Sequence, residues 1–177
     1  MTDLKVELLP WQQEVYNDPT RFKVIAAGRR TGKSRLAAWS LILNCLSAKK
    51  GQVFYVAPTQ GQARDIMWQM LLELGHSVIA SSHVNNLQIK FINGALLTLK
   101  GADRPETMRG VSLKFLVMDE YADIYQYASV SEDDSFKGYH YTSFDNPLLD
   151  PKEIEAAEKS MSAFSFRQEF MASFEAH

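Results

Sequence analysis

Cysteine is nearly absent from the 177 residues: Cys45 stands alone, so no disulfide can form within the chain and a reducing compartment is its expected home. Excess charge is missing as well. Nineteen Lys and Arg oppose 21 Asp and Glu, a net charge of -2, which excludes a dedicated polybasic nucleic-acid module and leaves only local DNA contact. No apolar run approaches the ~20 residues that span a bilayer. Met1-Thr2-Asp3-Leu4-Lys5 lacks the apolar core of a signal peptide. The histidines, His76, His83, His140 and His177, share no ligand-like spacing with one another or with Cys45, which argues against zinc. Repeats and low-complexity tracts are missing too. The remaining expectation is one soluble, cytoplasmic domain over residues 1–177, large enough at 46% apolar content for a buried core.

What is present is an alternation of strands and helices. Trp11 to Asn17 reads as a helix stopped by Asp18-Pro19, and Phe22 to Ala26 as a first strand. Leu36, Trp39, Ile42, Leu43 and Leu46 recur at helical spacing and are expected to face a sheet. Gln52 to Ala57 is a second strand. Pro58-Thr59 starts a helix with Thr59 and Gln62 at capping-box spacing, and Ile66, Met67, Met70 and Leu71 form its apolar stripe up to Gly75. Leu87 to Phe91 and Ala95 to Leu99 flank Asn93-Gly94, which predicts an antiparallel hairpin with a two-residue turn. Phe115 to Met118 is an uninterrupted apolar strand of the kind buried on both faces of a parallel sheet. Ser131 to Ser135 reads as an exposed acidic loop and Tyr139 to Phe144 as the last strand. Asp150-Pro151-Lys152-Glu153 opens a capped helix, and Ala163 to Phe174 is amphipathic. Such alternation predicts an α/β fold with a mostly parallel central sheet, flanking helices and a β-hairpin insertion.

The chemistry concentrates in Ala27-Gly28-Arg29-Arg30-Thr31-Gly32-Lys33-Ser34, between the first strand and the second helix. This is the order of a phosphate-binding loop. Backbone N–H groups of a small-residue turn wrap the phosphates, and the following helix directs about half a positive charge at them. Lys33 would reach the β- and γ-phosphates of ATP, and the Ser34 hydroxyl would bind Mg²⁺. Against the pattern GxxxxGK[ST], Ala27 fills the first glycine position and the glycine falls at Gly28. Asp119-Glu120 ends the apolar strand as the second half of such a site, with Asp119 holding Mg²⁺ directly or through water. Glu120 would orient or deprotonate the attacking water.

Three arginines are candidates for the remaining positive charge. Arg29 could touch the γ-phosphate from the same subunit, while Arg30 could instead bond carbonyls behind the loop. Arg109, on the polar loop Gly101 to Gly110, could meet a neighbouring subunit's nucleotide, a contact worth roughly 10³–10⁵ in rate where it occurs. Gln12 reads as an adenine-recognising glutamine, with Gln13 as its rival. Trp11 and Trp68 read as packing residues.

The pieces LPWQQEV, VIAAGRRTGKSRLA, FYVAPTQGQARDIMW, NGALLTLKGADRPETMRG, FLVMDEYADI, TSFDNPLLDP and FRQEFMASF, running from residue 9 to 174, resemble the large terminase subunit of tailed bacteriophages. Helicases share the phosphate loop and the Asp-Glu strand but not the GADRPETMRG segment or the ending from DNPLLDP to FRQEF. The resemblance implies a P-loop ATPase domain and a homo-oligomeric ring of subunits driving double-stranded DNA into a procapsid in the bacterial cytoplasm. It also implies a portal protein and a small terminase subunit as partners, and it favours Arg29 as the in-cis and Arg109 as the trans-acting arginine.

Two departures stand out. The family carries a nuclease domain after the ATPase, and this sequence stops where that domain would begin, so DNA cutting is not expected. The family also has a strand ending in a Gly-Thr-Pro-like coupling motif, and none is found between Asp123-Ile124 and Tyr125-Gln126-Tyr127. A deletion, omission of disordered residues from the sequence, or replacement by Tyr139 to Phe144 with Thr142-Ser143 as sensors would each explain it. A nucleotide-binding remnant without coupled hydrolysis and a helicase-like ATPase are the rival functions.

Overall fold

The computed structural model describes residues 4–48, 50–120 and 134–173. In chain order its first elements are α1 (Pro10–Asn17), β1 (Phe22–Ala27), α2 (Lys33–Ser47), β2 (Gln52–Ala57), α3 (Gln60–Ala63) and, after a π turn at Arg64–Trp68, α4 (Gln69–Leu74). Then come β3 (Ile79–His83), β4 (Gln88–Phe91), β5 (Leu96–Gly101), β6 (Leu113–Met118), β7 (Phe136–Tyr141), α5 (Pro151–Ser160) and α6 (Ala163–Phe170). Two compact units are distinguished, one of residues 4–7 and 34–120 and one of residues 8–33 and 134–173.

The first unit is built on a five-stranded sheet in the order β3-β4-β5-β2-β6. Strand β2 lies parallel to both β5 and β6, while β4 runs antiparallel to its neighbours β3 and β5. Pairing on both sides makes β2 the centre, and Val53, Phe54, Tyr55, Val56 and Ala57 are all buried. Helix α2 buries Leu36, Trp39 and Ile42 as its spacing predicts, but Leu41 and Cys45 fill the core where Leu43 and Leu46 were expected, and those two are only half-buried. Thr59 accepts a hydrogen bond from the Gln62 N–H and caps α3. The π turn advances the buried stripe, so Met67 and Trp68 are covered while Ile66 and Met70 are half-buried.

Three expectations change here. The hairpin turn has three residues rather than two. Gly94 N–H bonds to Phe91 O, Phe91 N–H bonds to Ala95 O, and only Gly94 takes a positive φ, +85°. Strand β3 was not foreseen. Strand β6 is not buried on both faces: it alternates half-buried and exposed, with Leu116 42% and Met118 44% accessible. Among the described residues, no strand pairs with its edge away from β2.

The second unit holds β1 and β7, paired in parallel from Phe22 opposite Phe136 to Ala27 opposite Tyr141. The last strand thus starts three residues earlier than expected, and Ser143–Asp145 forms a 3₁₀ turn instead of its end. Trp11 of α1 packs on Tyr141 with ring centroids 4.6 Å apart. Ile154, Phe166 and Phe170 join α5 to α6 in a small core. The Asp150 side chain accepts from Lys152 N–H and caps α5, as its sequence predicts. Residues 131–133 of the expected acidic loop, and residues 123–127, where a coupling motif would stand, lie outside the described residues.

Candidate active site

The candidate phosphate loop leaves β1 at Ala27 and enters α2 at Lys33. Its first bond continues the ladder of the sheet: Gly28 N–H donates to Tyr141 O at 2.9 Å. The next N–H, of Arg29, donates to Glu169 O at 2.6 Å. Buried Thr31 closes the turn, its hydroxyl donating to Gly28 O at 2.9 Å. Arg30 has φ +58° and Gly32 φ +96°, so the turn places a non-glycine residue in the left-handed region, a conformation that clusters at functional sites. At Gly28 the requirement for glycine is steric. A Cβ there would lie 2.3 Å from Phe170 O and 2.8 Å from Ser143 N. The first turn of α2, which includes Ser34, presents N–H groups that have no intrahelical acceptor.

Side chains from the end of the chain hold the loop from behind. Ser143 Oγ donates to Arg29 O and Asn146 Nδ2 donates to Arg30 O, both at 2.6 Å. Arg29 Nη1 pairs with Glu169 at 2.7 Å and Arg30 Nη1 with Glu153 at 2.6 Å. The carbonyl-bonding role considered for Arg30 therefore belongs to Ser143 and Asn146, and its own guanidinium meets a carboxylate. Gln12 is buried and bridges two backbones: its Oε1 accepts from Leu9 N–H at 2.7 Å, and its Nε2 donates to Gly32 O at 2.9 Å. Gln13 is exposed and donates to Leu8 O.

The acidic pair lies at the end of β6 in the other unit. Asp119 N–H donates to Val56 O at 2.8 Å, which extends the pairing with β2 by one residue. Asp119 Oδ2 accepts from the Tyr55 hydroxyl at 2.7 Å, and Oδ1 accepts from Glu120 N–H at 3.0 Å. Burial, then the charge of Asp119, pushes the Tyr55 phenol well above its ordinary pKa, so it remains a donor. Exposed Glu120 has φ +64°, a strained backbone on the order of 1–3 kcal/mol. Arg109 is exposed just after a 3₁₀ turn at Pro105–Met108, with its N–H on Glu106 O.

Sequence reasoning passed over Tyr55, Asn146, Glu153 and Glu169. Three of them lie in family-like pieces, Tyr55 in FYVAPTQGQARDIMW, Asn146 in TSFDNPLLDP and Glu169 in FRQEFMASF, while Glu153 stands in the start of α5.

A parallel strand feeding a tight, glycine-containing turn and a helix, with an Asp-Glu pair closing another parallel strand, defines a P-loop NTPase fold of the α/β class. A family model, terminase large subunit, T4likevirus-type, N-terminal, matches residues 24–131. The chain belongs to that family. No curated protein matches it. Among solved structures, the ATPase domain of the large terminase from Thermus phage P74-26 is similar over 97% of this chain and 94% of its own, with TM-score 0.79 and 18% identity. The large terminase of a thermophilic bacteriophage, solved in complex with ADP, is similar with TM-score 0.68 and 15% identity, over 90% of this chain and 52% of its own. Its complex with ATP-gamma-S gives TM-score 0.66 at 15% identity, over 91% and 51%. The chain therefore spans about half the length of that whole large terminase. Among the described residues, no helix is long and apolar enough to cross a membrane.

Proposed function

We propose that this chain is the ATP-hydrolysing motor domain of a phage large terminase and that it powers translocation of double-stranded DNA into a procapsid. The observation that carries the reading is the turn from Ala27 to Ser34, a strained, glycine-tight anion loop in a chain of the terminase family. The loop N–H groups and Lys33 take the phosphates. Ser34 and Asp119 supply a hydroxyl and a carboxylate, hard oxygen donors that suit Mg²⁺ without an all-protein cage. Among the described residues no cluster of three or more His, Cys, Asp or Glu is found, as such a site allows. Held by Ser34 and Asp119, Mg²⁺ would supply positive charge that neutralises the phosphates during transfer.

Glu120 orients the water and accepts its proton. Arg29 turns to the γ-phosphate by exchanging Glu169 for it, and because that pair is exposed the exchange costs about 0–1 kcal/mol. Arg109 serves a neighbouring subunit in a homo-oligomeric ring. Adenine falls to Gln12, whose amide keeps one hydrogen and one lone pair beyond its two bonds, or to exposed Gln13. A portal protein and a small terminase subunit are the partners, in the bacterial host cytoplasm.

The test is steady-state ATP hydrolysis at increasing protein concentration with duplex DNA, beside Lys33→Ala. Turnover that rises with concentration and vanishes in the variant is expected; full turnover in the variant removes the loop assignment. A second reading, nucleotide binding without coupled hydrolysis, rests on the coupling motif that is not found in the sequence. ATP binding with no turnover at any concentration would select it. Stimulation by single-stranded rather than duplex DNA would instead favour the helicase-like rival.

A further inference from the structure

Tyr55 lies in the middle of β2, fully buried, in a run that otherwise contains only apolar side chains from Val53 to Ala57. A tyrosine in such a place needs a partner for its hydroxyl. The partner is a carboxylate that the sequence places at the end of the neighbouring strand. Register explains how they meet: Tyr55 is opposite Val117, and Asp119, two residues further, returns to the same face of the sheet. Two of the bonds to the Asp119 carboxylate do different things. Glu120 N–H fixes Oδ1 from within the strand end, through the peptide that joins the two residues. The Tyr55 hydroxyl fixes Oδ2 from the centre of the sheet, from a ring that packing holds still. Together they set the plane of the carboxylate before any ligand arrives.

We propose that Tyr55 is a positioning residue for Mg²⁺ binding, orienting the Asp119 carboxylate through its hydroxyl and acting on the metal only through it. The inference rests on the assignment of Asp119 to Mg²⁺. Groups that orient a metal-binding side chain are worth about 10–100-fold in metal affinity, and a single hydrogen bond from a neutral phenol belongs at the low end. Tyr55→Phe keeps the ring and deletes the hydroxyl.

The measurement is binding of a fluorescent ATP analogue by the whole chain as Mg²⁺ is titrated, for wild type, Tyr55→Phe, Asp119→Asn and the double variant, with unfolding midpoints recorded beside it. The expected result is about a tenfold rise in the Mg²⁺ concentration for half-maximal effect in Tyr55→Phe, with nucleotide affinity in EDTA unchanged. Adding Tyr55→Phe to Asp119→Asn is expected to change nothing further. An unchanged Mg²⁺ midpoint in Tyr55→Phe, or an equal shift in the Asp119→Asn background, overturns the proposal. If wild type itself binds nucleotide with no Mg²⁺ dependence, it is the Asp119 assignment that fails, and the proposal falls with it. Should Tyr55→Phe not fold, fluorotyrosine labelling of wild type decides. A ¹⁹F resonance from position 55, assigned by comparing labelled proteins that each lack one other tyrosine, shifts on adding Mg²⁺ and nucleotide but not nucleotide in EDTA if the proposal holds. A resonance indifferent to Mg²⁺ refutes it.

Discussion

Replacing Gly28 by alanine adds one carbon where the loop, the turn after β7 and the end of α6 converge. Its distances to Phe170 O and Ser143 N, 2.3 and 2.8 Å, fall well short of the 3.4 Å at which ordinary contact begins, and both obstacles are backbone atoms that cannot rotate away. Relief requires moving the loop or α6. Either movement stretches the bonds from Gly28 N–H to Tyr141 O or from Arg29 N–H to Glu169 O. Overpacking costs about 1–3 kcal/mol and each weakened bond about 0.5–1.5 kcal/mol, which together give a loss of about 2–4 kcal/mol. For a chain of this size the corresponding fall in Tm is roughly 5–15 °C. Calorimetry would read the midpoint, and hydrogen exchange in peptides from β7 and α6 would show whether the loss is local. The control is Ala27→Gly, which supplies the glycine of the usual pattern without relieving any contact and is expected to cost under about 1 kcal/mol. A Gly28→Ala protein melting within about one degree of wild type would refute the steric argument.

Ser143→Ala removes a buried donor from Arg29 O and is expected to cost about 1–2 kcal/mol in urea unfolding, with weaker nucleotide binding. Glu169→Gln breaks only an exposed ion pair, so stability is expected to change by less than about 1 kcal/mol, and a larger loss in a denaturation curve would contradict the cheap exchange assigned to Arg29. Hydrogen bonds from Lys137 and then Thr20 hold the Asp18 carboxyl well below its ordinary range. Its stabilisation is complete above the unfolded pKa of about 3.9 and is lost as pH falls toward the folded value, so Asp18→Asn is expected to flatten the acid limb of a stability-pH profile. Burial pushes the Cys45 thiol up to about 12, and a disulfide reagent at neutral pH is expected to leave it unmodified until the protein unfolds.

The elements legible in the sequence were those whose local chemistry agrees with their packing. Strand β2, the cap at Thr59, the cap at Asp150 and the Asn93-Gly94 turn all announce themselves over a few residues. Strand β3, Ile79-Ala80-Ser81-Ser82-His83, does not, because it is mostly exposed and carries no apolar alternation. Strand β7 begins Phe136-Lys137-Gly138, where a glycine hides a pairing that β1 imposes from far away in the chain. The same division holds at the candidate site. Loop and acidic pair are short contiguous patterns, whereas Ser143, Asn146, Glu153 and Glu169 reach the loop across more than a hundred residues. Tyr55 was hidden differently: in an apolar run, a tyrosine reads as core until the register of β6 places a carboxylate over it.

Strand β6 has a hydrogen-bonding partner on one side only, among the described residues, and amide groups along a strand point alternately to its two sides. Since Asp119 N–H faces β2, those of Phe115 and Val117 share its side, and those of Leu116 and Met118 face the other. Exchange with deuterated solvent would then be slow at Phe115, Val117 and Asp119, the positions whose N–H groups face β2. The residue assigned to the metal is tethered on the protected flank of the strand, toward the rigid centre of its sheet, whatever the opposite flank does.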